Sequence, residues 1–197
     1  MGMHKGELTR QKIIAQAAPI FNERGYAGCS MQDVMEATGL EKGGLYRHFN
    51  SKEELAAEAF RYSLSRSAKL RTDDLGGSHG SLKLLRLYIR RFVEAPSAVR
   101  GGCPLMNTAV DADDGNQLLR DLAREGFRDW RARLGKIVAE GVRSGEICRS
   151  TSPRRVANAI IAALEGALMM SRLDGDKTPL KDAQAALEEM LERIAVH

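Results

Sequence analysis

The sequence predicts an all-α protein of about nine helices, and two observations carry that prediction. Every long segment repeats its apolar residues at i, i+3, i+4 and i+7, the spacing of one helix face, and none alternates with the period of a strand. The segments are punctuated by Ser, Thr, Gly and Pro at positions that start and stop helices.

The first helix carries Ile14, Ala17, Ala18 and Phe21 on one face and ends at Gly25. Pro19 inside it deletes one backbone hydrogen bond. Ser30 with Asp33 three residues on reads as a cap, and Gly39 stops that second helix early. A third short helix is expected over 41–49. Ser51 with Glu54 is a capping box for a long helix reaching about residue 71. After the loop DDLGGSHGS, Leu82, Leu85, Ile89 and Phe92 share a face. A short helix over 104–110 follows, then the turn DADDGN, in which Asp111, Asp113 and Asp114 read as solvated. The longest helix should cover 117–142, with Trp130, Leu134, Ile137, Val138 and Gly141 in its stripe. Ser152-Pro153 and Thr178-Pro179 each read as N-cap and first helical residue, opening the last two helices.

The totals exclude several classes. With 197 residues and 43% hydrophobic content, one large or two small domains can form. A net charge of +4 and a pI near 9.1 permit a nucleic-acid partner without demanding one. The N-terminus MGMHKGELTRQK lacks the apolar core of a signal peptide, and the run over 156–170 is broken by Asn158 and Glu165. A cytoplasmic protein without a membrane span is expected. Cys29, Cys103 and Cys148 are too scattered for a disulfide framework or zinc site, and no cofactor is expected. Paired carboxylates, a nucleophile elbow and a phosphate loop are all missing, and His4, His48, His79 and His197 are scattered. A small helical enzyme therefore stays a remote alternative.

The stretch GLEKGGLYRHFNSKEEL concentrates the chemistry. Helix, glycine turn and short helix form the helix-turn-helix layout, whose second helix enters the major groove of DNA. Gly43 and Gly44 bare the backbone for close approach to a phosphate. Lys42, His48 and Lys52 supply donors, Tyr46 a backbone or thymine-methyl contact, and Arg47 a guanine or phosphate contact. Leu45 and Phe49, four apart, should pack inward. Over the first fifty residues six basic groups (Lys5, Arg10, Lys12, Arg24, Lys42, Arg47) face five acids (Glu7, Glu23, Asp33, Glu36, Glu41). One module should therefore bind weakly and two held together far better.

Residues 10–55 resemble the TetR family of bacterial transcriptional regulators. The likeness rests on AAPIFNERGYAGCSMQDV at 17–34 and ATGLEKGGLYRHFNSKEEL at 37–55. It implies a three-helix DNA-binding domain over 1–50 and a helical effector-binding and dimerisation domain over 51–197. It also implies a homodimer on a palindromic operator, and a small-molecule effector that releases it. Repression is the family's common mode. Lys42, Gly43, Gly44, Tyr46, His48 and Lys52 map onto the family's DNA-contact positions. Met31 and Gln32 map onto the phosphate-contacting end of the second helix, with Met31 read as packing. Glu41 and Gly44 depart from the family's usual pattern, which bears on the operator sequence.

For the dimer the expected face is Ala157, Ile160, Ile161, Leu164 and Ala167 with Leu187, Met190, Leu191 and Ile194, and Ala157, Ala163 and Gly166 are small enough for close helix approach. For an apolar or aromatic effector the candidates are Tyr88, Phe92, Met106, Phe127, Trp130, Leu134 and Met169. Glu165, Asn107 and His79 are read as its polar orienters. Cys103 in RGGCPLM, before a helix-opening Pro and near Arg100, suggests a thiol sensor of oxidants or electrophiles as the alternative regulator.

Overall fold

The computed structural model describes residues 5–72, 80–95, 97–112 and 115–196. The expectations placed on His4, His79, Asp113, Asp114 and His197 lie outside them. Among the described residues there are nine helices and no strand, only an isolated antiparallel bridge between Ile147 and Ala195. The helices are α1 Lys5–Arg24, α2 Met31–Thr38, α3 Lys42–Tyr46, α4 Lys52–Thr72, α5 Ser81–Glu94, α6 Pro104–Asp111, α7 Gln117–Ser144, α8 Pro153–Asp174 and α9 Thr178–Ile194.

The chain forms two compact units. One comprises Met1–Ser67 with Ser97–Glu125, the other Ala68–Pro96 with Gly126–His197. In the first, α1 runs unbroken through Pro19. Ser30 caps α2 as expected: its hydroxyl accepts the Asp33 N–H at 3.1 Å, and the Asp33 carboxylate accepts the Ser30 N–H at 2.7 Å. Gly39 ends α2 at φ 66°, a left-handed conformation that costs a glycine little. Ile13, Ile14, Ala17, Val34, Leu45, Phe49 and Leu55 make this unit's core, with Met31 packed against it.

Helix α3 is shorter than expected, because the Leu45 carbonyl accepts both the His48 N–H at 3.0 Å and the Phe49 N–H at 3.2 Å. That bifurcation tightens the last turn, so Arg47 and His48 follow the helix. The box at α4 also differs. Ser51 Oγ takes the Glu54 N–H at 3.0 Å, but Glu54 reaches back to the Asn50 N–H at 2.9 Å.

In the second unit, α8 packs against α9 and α5, and α5 against α9. Leu85, Ile89, Phe92, Leu134, Val138, Ile160, Leu164, Leu187 and Leu191 are among its buried residues. Helix α5 opens on a remote cap: the Glu146 carboxylate accepts the N–H groups of Ser81 at 2.5 Å and Leu82 at 3.0 Å. Thr178 is not the cap of α9, as the Ser/Thr-Pro pattern suggested, but its first residue. Asp176 takes the hydroxyl of Thr178 and the N–H groups of Thr178 and Lys177, so the carboxylate does the capping. Helix α8 is, against expectation, long and apolar enough to cross a membrane. Half of that stretch is buried in its own unit, as in a core helix.

Hydrogen bonds from Ser30 hold the Asp33 carboxyl below its ordinary range, and the Asn50 N–H does the same for Glu54. A depressed pKa contributes stability above the unfolded value and loses it as pH falls through the folded one. Thermal melts of the wild type should therefore lose ground below about pH 4. The Glu54→Gln variant should start lower at neutral pH and lose less over the same window. Separately, Ser30→Ala should cost about 1 kcal/mol at neutral pH.

Candidate nucleic-acid interface and buried aromatic cluster

Leu45 and Phe49 are fully buried, and they fix which side of α3 faces outward. Lys42, Gly43, Tyr46 and Arg47 are exposed, and Gly44 and His48 half-buried. The two glycines are not needed by the protein's own packing. A Cβ at Gly43 would meet nothing within 4 Å, and one at Gly44 would touch only the Leu40 side chain at 3.6 Å. Gln32 is exposed at the start of α2, with its amide on Glu36 at 3.2 Å. Lys52, at the first position of α4, holds its ammonium 4.2 Å from the centroid of the Tyr26 ring. Arg10 is spent internally: it lies over the Phe49 ring at 4.7 Å and pairs with Glu54 at 3.6 Å and Glu58 at 3.3 Å. The exposed face thus gathers five of the expected DNA-contact residues, Lys42, Gly43, Gly44, Tyr46 and Arg47, with His48 just beyond.

In the second unit the expected effector residues divide. Phe92, Trp130 and Phe127 form a near-parallel series, with centroids 6.1 Å and 6.3 Å apart and interplanar angles of 16°. The sequence reading missed Arg71, which is only 4% exposed. Its guanidinium lies 4.3 Å from the Phe92 centroid and 5.4 Å from that of Trp130. Tyr88, Leu134 and Glu165 are buried in the same unit. Trp130 Nε1 finds no acceptor among the described residues. Met106 is half-buried in the other unit, and Met169 is 50% exposed on α8, so neither joins this cluster. Asn107 is committed elsewhere: its amide donates to the Asn22 carbonyl at 3.0 Å and to the Gly101 carbonyl at 2.8 Å.

Residues 13–59 match the family described as bacterial regulatory proteins, tetR family. Residues 82–187 match the tetracyclin repressor-like C-terminal domain, more than half of the chain.

The chain belongs to the TetR family.

A TetR transcriptional regulator from Chloroflexus aurantiacus J-10-FL superposes with a TM-score of 0.93. It is 38% identical, with 98% of each chain covered. A TetR-family regulator from Cytophaga hutchinsonii gives 0.92 at 32% identity over the whole of both chains. The HTH-type transcriptional repressor DhaR of Mycobacterium sp. (strain GP1) is 27% identical, covering 92% of this chain and 91% of its own. The protein is therefore a DNA-binding transcriptional regulator with a helix-turn-helix head, and its relatives are regulators rather than enzymes.

The last two helices, α8 and α9, each have a buried and an exposed face. Ala157, Ile160, Leu164, Ala167, Leu187 and Leu191 are at most 3% exposed within the single chain and Ile161 is 8% exposed; Met190 and Ile194 are half-buried. Seven of the nine residues of the face read from the sequence are thus buried within this unit, and Met190 and Ile194 are partly open. Exposed instead on α8 are Ala159, Ala162, Met169 and Leu173, the last at 79%, in register with the half-buried Gly166. The sequence singles out Gly166 as a small residue for helix approach and Met169 as an effector residue, but not Ala159, Ala162 and Leu173, because alanine scores as neutral in a hydrophobic pattern and Leu173 closes the helix.

Cys103 occupies the N-cap position of α6 and is buried, and Arg100 turns its charge to Glu23 at 3.2 Å. Burial pushes the Cys29 thiol above its ordinary range. Asp111 is more than the solvated turn residue expected, since it accepts the Tyr26 N–H at 2.7 Å.

The buried guanidinium has a measurable consequence. A desolvated cation over aromatic faces contributes up to about 2 kcal/mol, so Arg71→Met should lower unfolding stability by roughly that amount. Trp130 is the chain's one tryptophan, and denaturation followed by its fluorescence reports this cluster directly.

Proposed function

We propose that this TetR-family protein is a ligand-responsive repressor. It binds a palindromic operator as a homodimer in the cytoplasm and leaves it when a small apolar or aromatic effector binds. Residues 1–50 read DNA, and 51–197 bind effector and partner. The observation that carries the DNA side is the bare backbone of α3. No neighbour forbids a side chain at Gly43 or Gly44, yet both lie beside exposed Lys42, Tyr46 and Arg47. Close approach from outside the molecule accounts for them. Gln32, His48 and Lys52 add contacts at the edges of that face.

Two heads are needed because the head carries almost no net charge. Two phosphate-contacting modules on one duplex gain an effective concentration that a single one lacks. The exposed α8 stripe Ala159, Ala162, Gly166, Met169 and Leu173 is the surface best suited to a second copy, since small residues let helices approach closely. A two-fold dimer of this kind reads half-sites one DNA turn apart, ~34 Å.

The effector side rests on Tyr88, Phe92, Phe127, Trp130 and Leu134 with Glu165, to which Arg71 is added; Met106 and Met169 stand apart from that cluster. The effector favours a conformation whose heads no longer match the operator, and affinity falls by its differential binding energy. A second reading, a thiol sensor acting through Cys103, draws on its N-cap position in α6. Replacement by Ser should then abolish any oxidant response and leave DNA binding intact.

The carrying observation gives a sharp test. Gly43→Ala should keep or raise the melting temperature, because alanine removes unfolded-state freedom worth about 0.4–1 kcal/mol. The same variant should weaken specific DNA binding in a gel shift against the DNA upstream of the protein's own gene. Tyr46→Ala should weaken it at least about tenfold, ~1.4 kcal/mol. Unchanged binding by Gly43→Ala would remove the close-approach reading.

A further inference from the structure

Lys52 does not stand alone at the start of α4. Its ammonium rests on the ring of Tyr26, in the turn that follows α1. Tyr26 is fixed from behind. Its N–H donates to the Asp111 carboxylate at 2.7 Å, and its ring packs against buried Ala56, Ala57, Ala112 and Leu119. Gly25 makes room for that carboxylate, because a Cβ there would lie 2.5 Å from Asp111 Oδ1 and its φ is 74°.

Two further stitches bind the same segment, Ser97–Glu125, to the head helices of this unit. The Asn22 amide donates to the carbonyls of Arg100 at 2.7 Å and Gly102 at 3.0 Å, and Asn107 closes the network onto Asn22. Asn116 donates to Glu53 at 2.6 Å, next in sequence to Lys52, while its side-chain oxygen accepts the Leu119 N–H at 2.9 Å.

We propose that Tyr26 and Asp111 are positioning residues for DNA binding: the end of α6, through the Tyr26 turn and ring, sets where the Lys52 ammonium sits. The proposal rests on the reading of Lys52 as a DNA contact. A cation on a partly exposed ring gains a modest energy and keeps its charge available, which suits positioning rather than neutralisation.

The test is the salt dependence of full-length protein binding to a random-sequence duplex, followed by fluorescence anisotropy. Lys52→Ala should reduce the slope of log affinity against log salt by about one per protomer. Tyr26→Leu should weaken binding by about two- to fivefold and lose that effect in a Lys52→Ala background. Tyr26→Phe, which keeps the ring, should bind as the wild type. Asp111→Ala should follow Tyr26→Leu, and Asp111→Asn, which keeps an acceptor, should restore binding. The Asp111 pair carries the test if Tyr26→Leu does not fold. If Lys52→Ala leaves the slope unchanged, the Lys52 contact itself is wrong and the proposal falls with it. If that slope drops while Tyr26→Leu or Asp111→Ala acts equally in both backgrounds, the contact stands and the positioning role is overturned.

Discussion

A five-residue helix cannot hold itself in water, and the proposed reading of DNA depends on one. Nucleating a helix fixes several dihedrals for one hydrogen bond, so α3 exists because its neighbours hold it. Leu45 and Phe49 are that hold. Both are fully buried, among Ile13, Ile14, Ala17, Val34 and Leu55. Burying a leucine and a phenylalanine contributes about 1.5–3 kcal/mol each, far more than the intrinsic preference of KGGLY could. The two glycines weaken the helix by about 0.5–1 kcal/mol apiece relative to alanine. Folding tolerates that loss because the packing outweighs it.

The same economy runs through the termini. One cap is supplied at a distance, by Glu146 to α5, and others locally: Asp176 serves α9, and Ser30 with Asp33 serves α2. Carboxylates that accept N–H groups at a helix start satisfy orphan donors and meet the positive end of the helix dipole. In the second unit the guanidinium of Arg71 lies over aromatic faces. A buried charge beside the proposed effector residues is a group a ligand must either keep or replace.

Most of the architecture was legible in the sequence because helix periodicity and punctuation are local. Ser30, Gly39, Ser152 and Gly25 act where the pattern put them. The outward face of α3 was legible for the same reason, since the four-residue spacing of Leu45 and Phe49 sets it. What escaped was set by tertiary contacts. The early end of α3 comes from a bifurcated bond on the Leu45 carbonyl. The N-cap position of α9 is Lys177, one residue earlier than Thr178-Pro179 suggested, and Asp176 supplies the capping carboxylate. Arg71 reads as a polar helix end and is buried, and Asp111 reads as a solvated turn and holds Tyr26. On α8 the strongest apolar stripe is the unit's own core, and the weaker stripe of small residues is the exposed one. Hydrophobicity ranks burial, so it finds a core before it finds a partner surface.

That distinction matters for how a nearly neutral head achieves affinity. In the function proposed here, two copies present α3 to one duplex and pair through the exposed face of α8. A hydroxyl-radical footprint on the DNA fragment that the protein selects from its own genome tests it most directly. The account predicts two protected patches related by two-fold symmetry, on one face of the duplex and ~34 Å apart. A single unsymmetrical patch, or no fragment enriched over random DNA, would contradict it.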